Sequence, residues 1–156
     1  MVTQTKKQID ESLIDFYNDH IVTQSDVIYR FAFCLTLSLD TAMQIVKSVF
    51  EKVARELSPS LIHQNASIKS MLLTETWNTF QRNKTKKSSI PSLTLAKQAT
   101  KFFESLEIDA RAALFFVDIA GLSVADACRS LGMPEEQIRN NLGIARKNLV
   151  NTSFDF

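Results

Sequence analysis

Apolar residues recur at helical spacing along most of the chain. The widest face is predicted between Ala42 and Leu57, where apolar positions follow at i, i+3, i+4, i+7 and onward. Narrower stripes predict further helices at 8–22, 25–39, 67–83, 96–106 and 109–120. Few runs alternate with the period of a strand, and glycine and proline number only three each. The pattern therefore predicts an all-α protein.

Polar residues that can cap helices mark several of these starts. Ser25 is the predicted cap of the second helix, Asp40 of the third and Asp109 of the helix that Gly121 closes. A side-chain oxygen at such a position can accept a backbone N–H that has no partner inside the helix.

The stretch from Gly121 to Leu149 has the pattern of a helix-turn-helix. Ser123 can cap its first helix together with Asp126, three residues later. Gly132 can end that helix, and Pro134 is tolerated where the next one starts. The second helix then carries an apolar stripe at Ile138, Leu142, Ala145 and Leu149. Such a helix can enter a DNA groove, although an ordinary helical hairpin has the same local pattern.

Composition divides the chain into two parts. Residues 84–95 shift to lysine, serine and threonine with one proline, which predicts a basic linker between a helical domain at 1–83 and a second at 96–152. Between residues 76 and 103 there is no acid and there are six lysines and arginines. This band could meet phosphates, or it could be only a solvated linker.

Other features narrow the function classes. The net charge of +1 does not by itself indicate a polyanion partner. Cys34 and Cys128 lack the spacing of a metal site, so we expect reduced thiols, no metal and no cofactor. The sequence contains no phosphate loop or nucleophile motif, which argues against an enzyme. With no signal peptide pattern and no apolar run near ~18 residues, we expect a cytoplasmic protein without membrane insertion.

Three blocks of the chain resemble the extracytoplasmic-function (ECF) sigma factors of bacteria. Residues 29–54 are similar to the second conserved region of that family, and residues 65–87 to the helix and basic tail that follow it. Residues 103–149 resemble the fourth region, including its Gly-Leu-Ser, Leu-Gly and Ala-Arg-Lys positions. The resemblance rests on the order of these blocks, their spacing and the total length of the chain. It implies two small helical domains, a region 2-like bundle and a region 4-like helix-turn-helix.

The resemblance also implies a function and its residues. Such a protein docks on RNA polymerase core and directs it to promoter DNA for initiation, and an anti-sigma factor is a potential partner. The residues implied in polymerase binding are Asp40, Gln44 and Lys47. Those implied in promoter melting are the loop 60–65 and Trp77, Asn78, Arg82, Lys84, Lys86 and Lys87. Those implied in reading the distal promoter element are Gln137, Arg139, Asn140, Asn141 and Lys147.

The implied DNA-reading surface is poor in positive charge. Glu135 and Glu136 open its helix, and Gly143 and Ile144 stand where the family is often basic. Six bases face seven acids over residues 98–150. Because phosphate neutralisation dominates non-specific DNA affinity, three functions stay open. The chain is a sigma factor that relies on polymerase, a sigma-like mimic or regulator that binds an anti-sigma factor or another protein and not DNA, or a DNA-binding regulator that acts without polymerase.

Overall fold

The computed structural model describes residues 11–56, 67–84 and 97–152. A first helix, α1, occupies 11–16 and continues through a π turn at Tyr17–Ile21 and a 3₁₀ turn at Val22–Gln24. The later helices are α2 (Ser25–Thr36), α3 (Leu39–Glu56), α4 (Ile68–Asn83), α5 (Lys97–Glu104), α6 (Ile108–Leu114), α7 (Val124–Leu131) and α8 (Glu135–Asn151). A second π turn, Phe115–Ile119, extends α6. The described ranges contain helices and no strand, which confirms the predicted all-α class.

Helix α2 ends three residues earlier than predicted. Leu37 follows it with a φ of 53°, a left-handed conformation that turns the chain sharply. The Oγ atom of Ser38 then accepts a hydrogen bond from the backbone N of Thr41 at 3.3 Å. Ser38, and not Asp40, therefore caps α3, because the turn at Leu37 brings its side chain over the first free N–H groups.

Of the other three predicted caps, two lie inside the helix and not at its cap position, and one is confirmed. Ser25 is the first residue of α2 and Asp109 lies in the first turn of α6, so neither is the cap. Ser123 does cap α7, and Asp126 completes the reciprocal pair of hydrogen bonds. Gly132 ends α7 with a φ of 66°, in the left-handed conformation that glycine adopts at low cost.

One apolar core runs through both halves of the described chain. Helices α2, α3 and α4 form a bundle, and the ring of Phe31 on α2 lies 4.9 Å from that of Phe115 and 5.3 Å from that of Phe116. Both Phe31 and Phe116 are fully buried. A smaller cluster joins α5, α6 and α8 around Phe102 and Ala145. The two halves therefore pack against each other, while most of the predicted linker 84–95 lies outside the described residues and the domain bounds stay a prediction.

Polar contacts cross the same interface. The guanidinium of Arg111 on α6 donates from Nη1 to the carbonyl of Leu35 at 3.2 Å, at the end of α2. Cys34 lies beside it, with its Sγ 3.9 Å from the carbonyl oxygen of Arg111, and burial raises the pKa of this thiol to about 12. On the other side, Lys69 Nζ donates to the carbonyl of Ala120 at 3.3 Å. These contacts hold α6 and the start of the helix-turn-helix against α2 and α4.

None of the helices in the described ranges combines the length and apolar character that crossing a bilayer needs.

Candidate functional site

The helix-turn-helix is built from local hydrogen bonds and one apolar stripe. Ser123 Oγ accepts from the backbone N of Asp126 at 3.0 Å, and the carboxylate of Asp126 accepts from the backbone N of Ser123 at 3.3 Å. Helix α8 buries Ile138, Leu142 and Ala145 against α6 and α7. Leu149, which was predicted on the same stripe, is 41% exposed because it lies beyond the last turn of α8 that those helices cover.

The residues predicted to read the distal promoter element all lie on α8, but they differ in accessibility. Gln137, Arg139, Asn140 and Lys147 are exposed, whereas Asn141 is half-buried. The amide of Gln137 donates to Asp109 Oδ2 at 3.3 Å. The Nδ2 atom of Asn141 is buried and has no hydrogen-bond partner among the described residues. The amide of Gln137 is therefore engaged by Asp109, and the Nδ2 atom of Asn141 is not accessible at the surface.

The arginines of α8 are, by contrast, held by acids. Arg139 contacts Glu135 Oε1 from Nε at 2.8 Å and from Nη2 at 2.7 Å. Arg146 forms a two-pronged pair with Asp118, at 2.9 and 2.7 Å. The hydrogen bonds from Arg146 lower the pKa of the Asp118 carboxyl and raise that of the guanidinium. Both side chains are partly neutralised, so α8 has less positive potential toward DNA than its composition indicates.

The sequence contains no local signal for the pairing of Arg146. Asp118 lies 28 residues earlier, in the π turn that follows α6. Only the packing of α6 against α8 brings the two together.

The predicted placement of Trp77 on the polar side of α4 is wrong. Its side chain is 4% exposed and packs near Phe80, with ring centroids 6.0 Å apart. Helix α4 is covered by α2 and α3 on one side and by α7 on another, so its buried face is wider than one apolar stripe. Trp77 would have to leave the core to stack on an unpaired base.

Of the other residues predicted to act in promoter melting, one forms an ion pair, two are exposed, and the rest lie outside the described residues. Arg82 Nη2 contacts Glu75 Oε1 at 3.0 Å, and Lys52 Nζ contacts the same oxygen at 2.9 Å. Burial disfavours the charged form of Glu75, but these two cations outweigh it and lower the pKa of the carboxyl. Asn78 and Lys84 are exposed. The loop 60–65, Lys86 and Lys87 lie outside the described residues.

The predicted polymerase-binding residues share the outer face of α3. Asp40, Gln44 and Lys47 are all exposed and follow one another at i, i+4 and i+7, which places them on one stripe. Met43 lies on this stripe and is 57% exposed. Our sequence reasoning missed Met43, although an apolar residue on the polar side of an amphipathic helix was a usable signal.

A cleft of about 520 Å³ lies between α3, α4 and α7, and three of the four charged side chains that line it are paired within the described residues. Glu75 has the two cations described above, and Asp126 pairs with Arg129 while it caps α7. In the described part of the chain, no cluster of three or more histidines, cysteines and acids is placed to hold a metal ion.

This architecture is similar to the fold of a solved sigma factor. The sigma factor RpoE from Bartonella quintana, solved in complex with the anti-sigma factor NepR, matches with a TM-score of 0.74. The match covers 87% of this chain and 95% of that one at 19% sequence identity. No family model matches the sequence, and a search of curated proteins gives no match. The resemblance that the sequence blocks indicated is confirmed at the level of the fold.

Proposed function

We propose that this chain acts as an ECF-type sigma factor that directs RNA polymerase core to promoters for transcription initiation. The observation that carries the proposal is the fold shared with a sigma factor across both halves, over 87% of this chain. A helical bundle joined to a helix-turn-helix provides two separate surfaces, one for a melted element and one for a distal duplex element. This function requires no catalytic activity of the chain. We place the protein in the cytoplasm, where polymerase and promoters are.

The outer face of α3 is the proposed polymerase contact. Asp40, Gln44 and Lys47 offer polar groups of both signs around the exposed side chain of Met43. A flexible, polarizable methionine that is more than half exposed is well suited to anchor a protein interface.

We further propose that the free protein binds DNA weakly and that polymerase supplies most of the affinity. Arg82, Arg139 and Arg146 each contact a carboxylate at 3.0 Å or less. The acid beside each guanidinium offsets its positive charge and repels phosphates, which lowers the net attraction of this surface to DNA. This accounts for a helix-turn-helix with so little free positive charge.

An anti-sigma factor is the proposed regulatory partner. The similar RpoE of Bartonella quintana was solved with one, and the closed arrangement of this chain supports the same kind of control. Thr74 Oγ1 on α4 donates to Ser130 Oγ on α7 at 2.7 Å, so the helix-turn-helix covers one side of the proposed melting helix. A partner that favours this closed state would keep the chain from opening a promoter.

The test is core binding together with initiation by the full-length chain. We expect it to co-migrate with bacterial core polymerase in size exclusion and to support run-off transcription from a promoter library. Met43→Glu should reduce core binding at least tenfold. Ile14→Glu is the matched control, since Ile14 is as exposed (59%) but lies on α1, and it should bind as the wild type does.

Failure of both core binding and initiation would refute the proposal. If the same protein then bound an anti-sigma factor tightly, the sigma-like mimic would be the function instead. Retention on DNA without core binding would indicate a polymerase-independent regulator.

A further inference from the structure

A single carboxylate oxygen on α4 binds three neighbouring side chains. Glu75 Oε1 accepts from Lys52 Nζ at 2.9 Å and from Arg82 Nη2 at 3.0 Å. The hydroxyl of Thr79 donates to the same oxygen at 3.4 Å. Lys52 lies on α3 and the other three residues lie on α4. Because the side chain of Glu75 is only 16% exposed, it is held in place against both helices.

The same contacts fix one end of the Arg82 guanidinium. Its Nη2 atom donates to Thr79 Oγ1 at 3.1 Å as well as to Glu75. An Nη nitrogen of arginine carries two protons, so these two hydrogen bonds use both of them. The Nε and Nη1 atoms have no partner among the described residues, and the side chain is 57% exposed. Arg82 therefore keeps donors for a ligand while the protein sets its orientation.

The charge of this group differs from that of the two arginine–acid pairs on α8. Arg139 and Arg146 each face one carboxylate, which leaves each pair without net charge. Glu75 faces two cations, so its group keeps one positive charge. A phosphate is therefore attracted to the group as a whole, and the guanidinium that it meets is already oriented.

We infer that Glu75 is a positioning residue, which together with the hydroxyl of Thr79 holds Arg82 for contact with a phosphate of the melted promoter strand. The inference rests on the proposed function, since it concerns promoter melting by α4. A long side chain that is fixed before binding loses less conformational freedom on contact than a mobile one. The acid thus favours DNA binding through Arg82, although its charge alone would weaken it.

The test measures the affinity of the holoenzyme, core polymerase with the full-length chain, for a forked promoter whose melted element is single-stranded. Glu75→Ala removes the acceptor and should weaken binding about 2- to 12-fold, the cost of ordering one long side chain on contact. Glu75→Gln should bind at least as tightly as the wild type, because all three hydrogen bonds end on one oxygen, which glutamine keeps. Thr79→Val keeps the branched shape and removes the second acceptor, so it should also weaken binding.

Two comparisons separate positioning from a general effect on the structure. Glu75→Ala combined with Arg82→Ala should bind no more weakly than Arg82→Ala alone, because the acid then has no guanidinium to hold. A merely structural role of the acid would lower the affinity by the same factor in both backgrounds. Asp26→Ala is the matched control, since it removes an exposed acid that pairs with Arg30 at 3.1 Å on α2, and it should leave the affinity unchanged.

The outcomes distinguish this inference from the function on which it rests. Binding that is unchanged or tightened by Glu75→Ala overturns the inference, since the acid would then act only by repelling phosphates. Equal losses with and without the Arg82 guanidinium overturn it as well. In both cases initiation by the wild type upholds the sigma function. If the wild type neither binds core nor initiates, the proposed function fails and the inference fails with it.

Discussion

Arg111 is expected to control how often the two halves separate. Its Nη1 donates to the Leu35 carbonyl, one of the carbonyls at the end of α2 that have no donor inside the helix. A cation at this end also interacts favourably with the helix dipole. Arg111→Met keeps most of the apolar stem and removes both contributions, together with the hydrogen bond that Arg111 Nε donates to the carbonyl of Leu106 within the same half.

The size of the effect follows from the partial burial of this side chain. A hydrogen bond from a charged donor contributes about 1.5–3 kcal/mol. Arg111 is only half-buried, so the lower end applies, and about 1.5 kcal/mol corresponds to a roughly tenfold larger open population. We expect this change in opening without loss of the helical fold.

Cys34 reports on the opening because it lies at the same interface. Its thiol is 2% exposed, and burial raises its pKa to about 12, so at pH 8 it is almost entirely in the protonated form. Since the thiolate is the nucleophile, alkylation proceeds through the open state. Iodoacetamide labelling followed by mass spectrometry should show Cys34 reacting about tenfold faster in Arg111→Met. Cys128, which is half-exposed, should react at an unchanged rate and serves as the internal reference.

Two results would refute this reasoning. One is a wild-type Cys34 that reacts as fast as Cys128, and the other is an Arg111→Met variant whose Cys34 reacts at the wild-type rate. Arg129→Met is the control, because Arg129 is exposed and pairs within α7 without crossing the interface. Circular dichroism of each variant excludes general unfolding as the cause of faster labelling.

Three further sets of substitutions test the cap of α7, the ion pair on α8 and the basic stretch. Ser123→Ala removes the cap of α7 and should lower the free energy of unfolding by about 1 kcal/mol in urea titrations. Asp118→Asn frees Arg146, so non-specific DNA binding should gain about one unit of salt dependence at a stability cost below about 1 kcal/mol. Because the pKa of Asp118 is lowered in the folded state, its stabilisation is present at neutral pH and is lost as pH falls through that pKa. Lys86→Glu combined with Lys87→Glu should reduce promoter opening, measured by permanganate reactivity of the melted strand.

For each of these predictions, one result would contradict the expected effect. An unfolding midpoint unchanged by Ser123→Ala would mean that tertiary packing alone sets the start of α7. A salt dependence unchanged by Asp118→Asn would show that the freed guanidinium does not reach DNA. Normal opening by the double lysine variant would mean that the basic stretch is only a linker.

The elements that sequence reasoning predicted well are those set by near neighbours. The cap of α7 needs only Ser123 and Asp126, three residues apart, and its end needs only a glycine at position 132. The hydrogen bonds involved are local, so the residues that make them are adjacent in the sequence as well. Asp40 was the predicted cap of α3, but the left-handed turn at Leu37 places the side chain of Ser38 at that position.

The burial of Trp77 and the pairing of Arg82 could not be predicted in the same way. Trp77 is part of the core on a helix that α2, α3 and α7 all contact. Arg82 shares Glu75 with Lys52, which lies 23 residues from that acid on another helix. An amphipathic pattern specifies one buried face, and it contains no information about a second helix that packs from another direction.

The sequence by itself determined the helical class, the position of the helix-turn-helix and the resemblance to sigma factors, because these follow from periodicity, caps and the order of blocks. Only the tertiary structure decided which charges remain available. Asp118 meets Arg146 across 28 residues, and the two halves share one core around Phe31 and Phe116. The physical reason is that the free energy of a charged or aromatic side chain depends on what surrounds it in space, and those surroundings come from chain segments far apart in sequence.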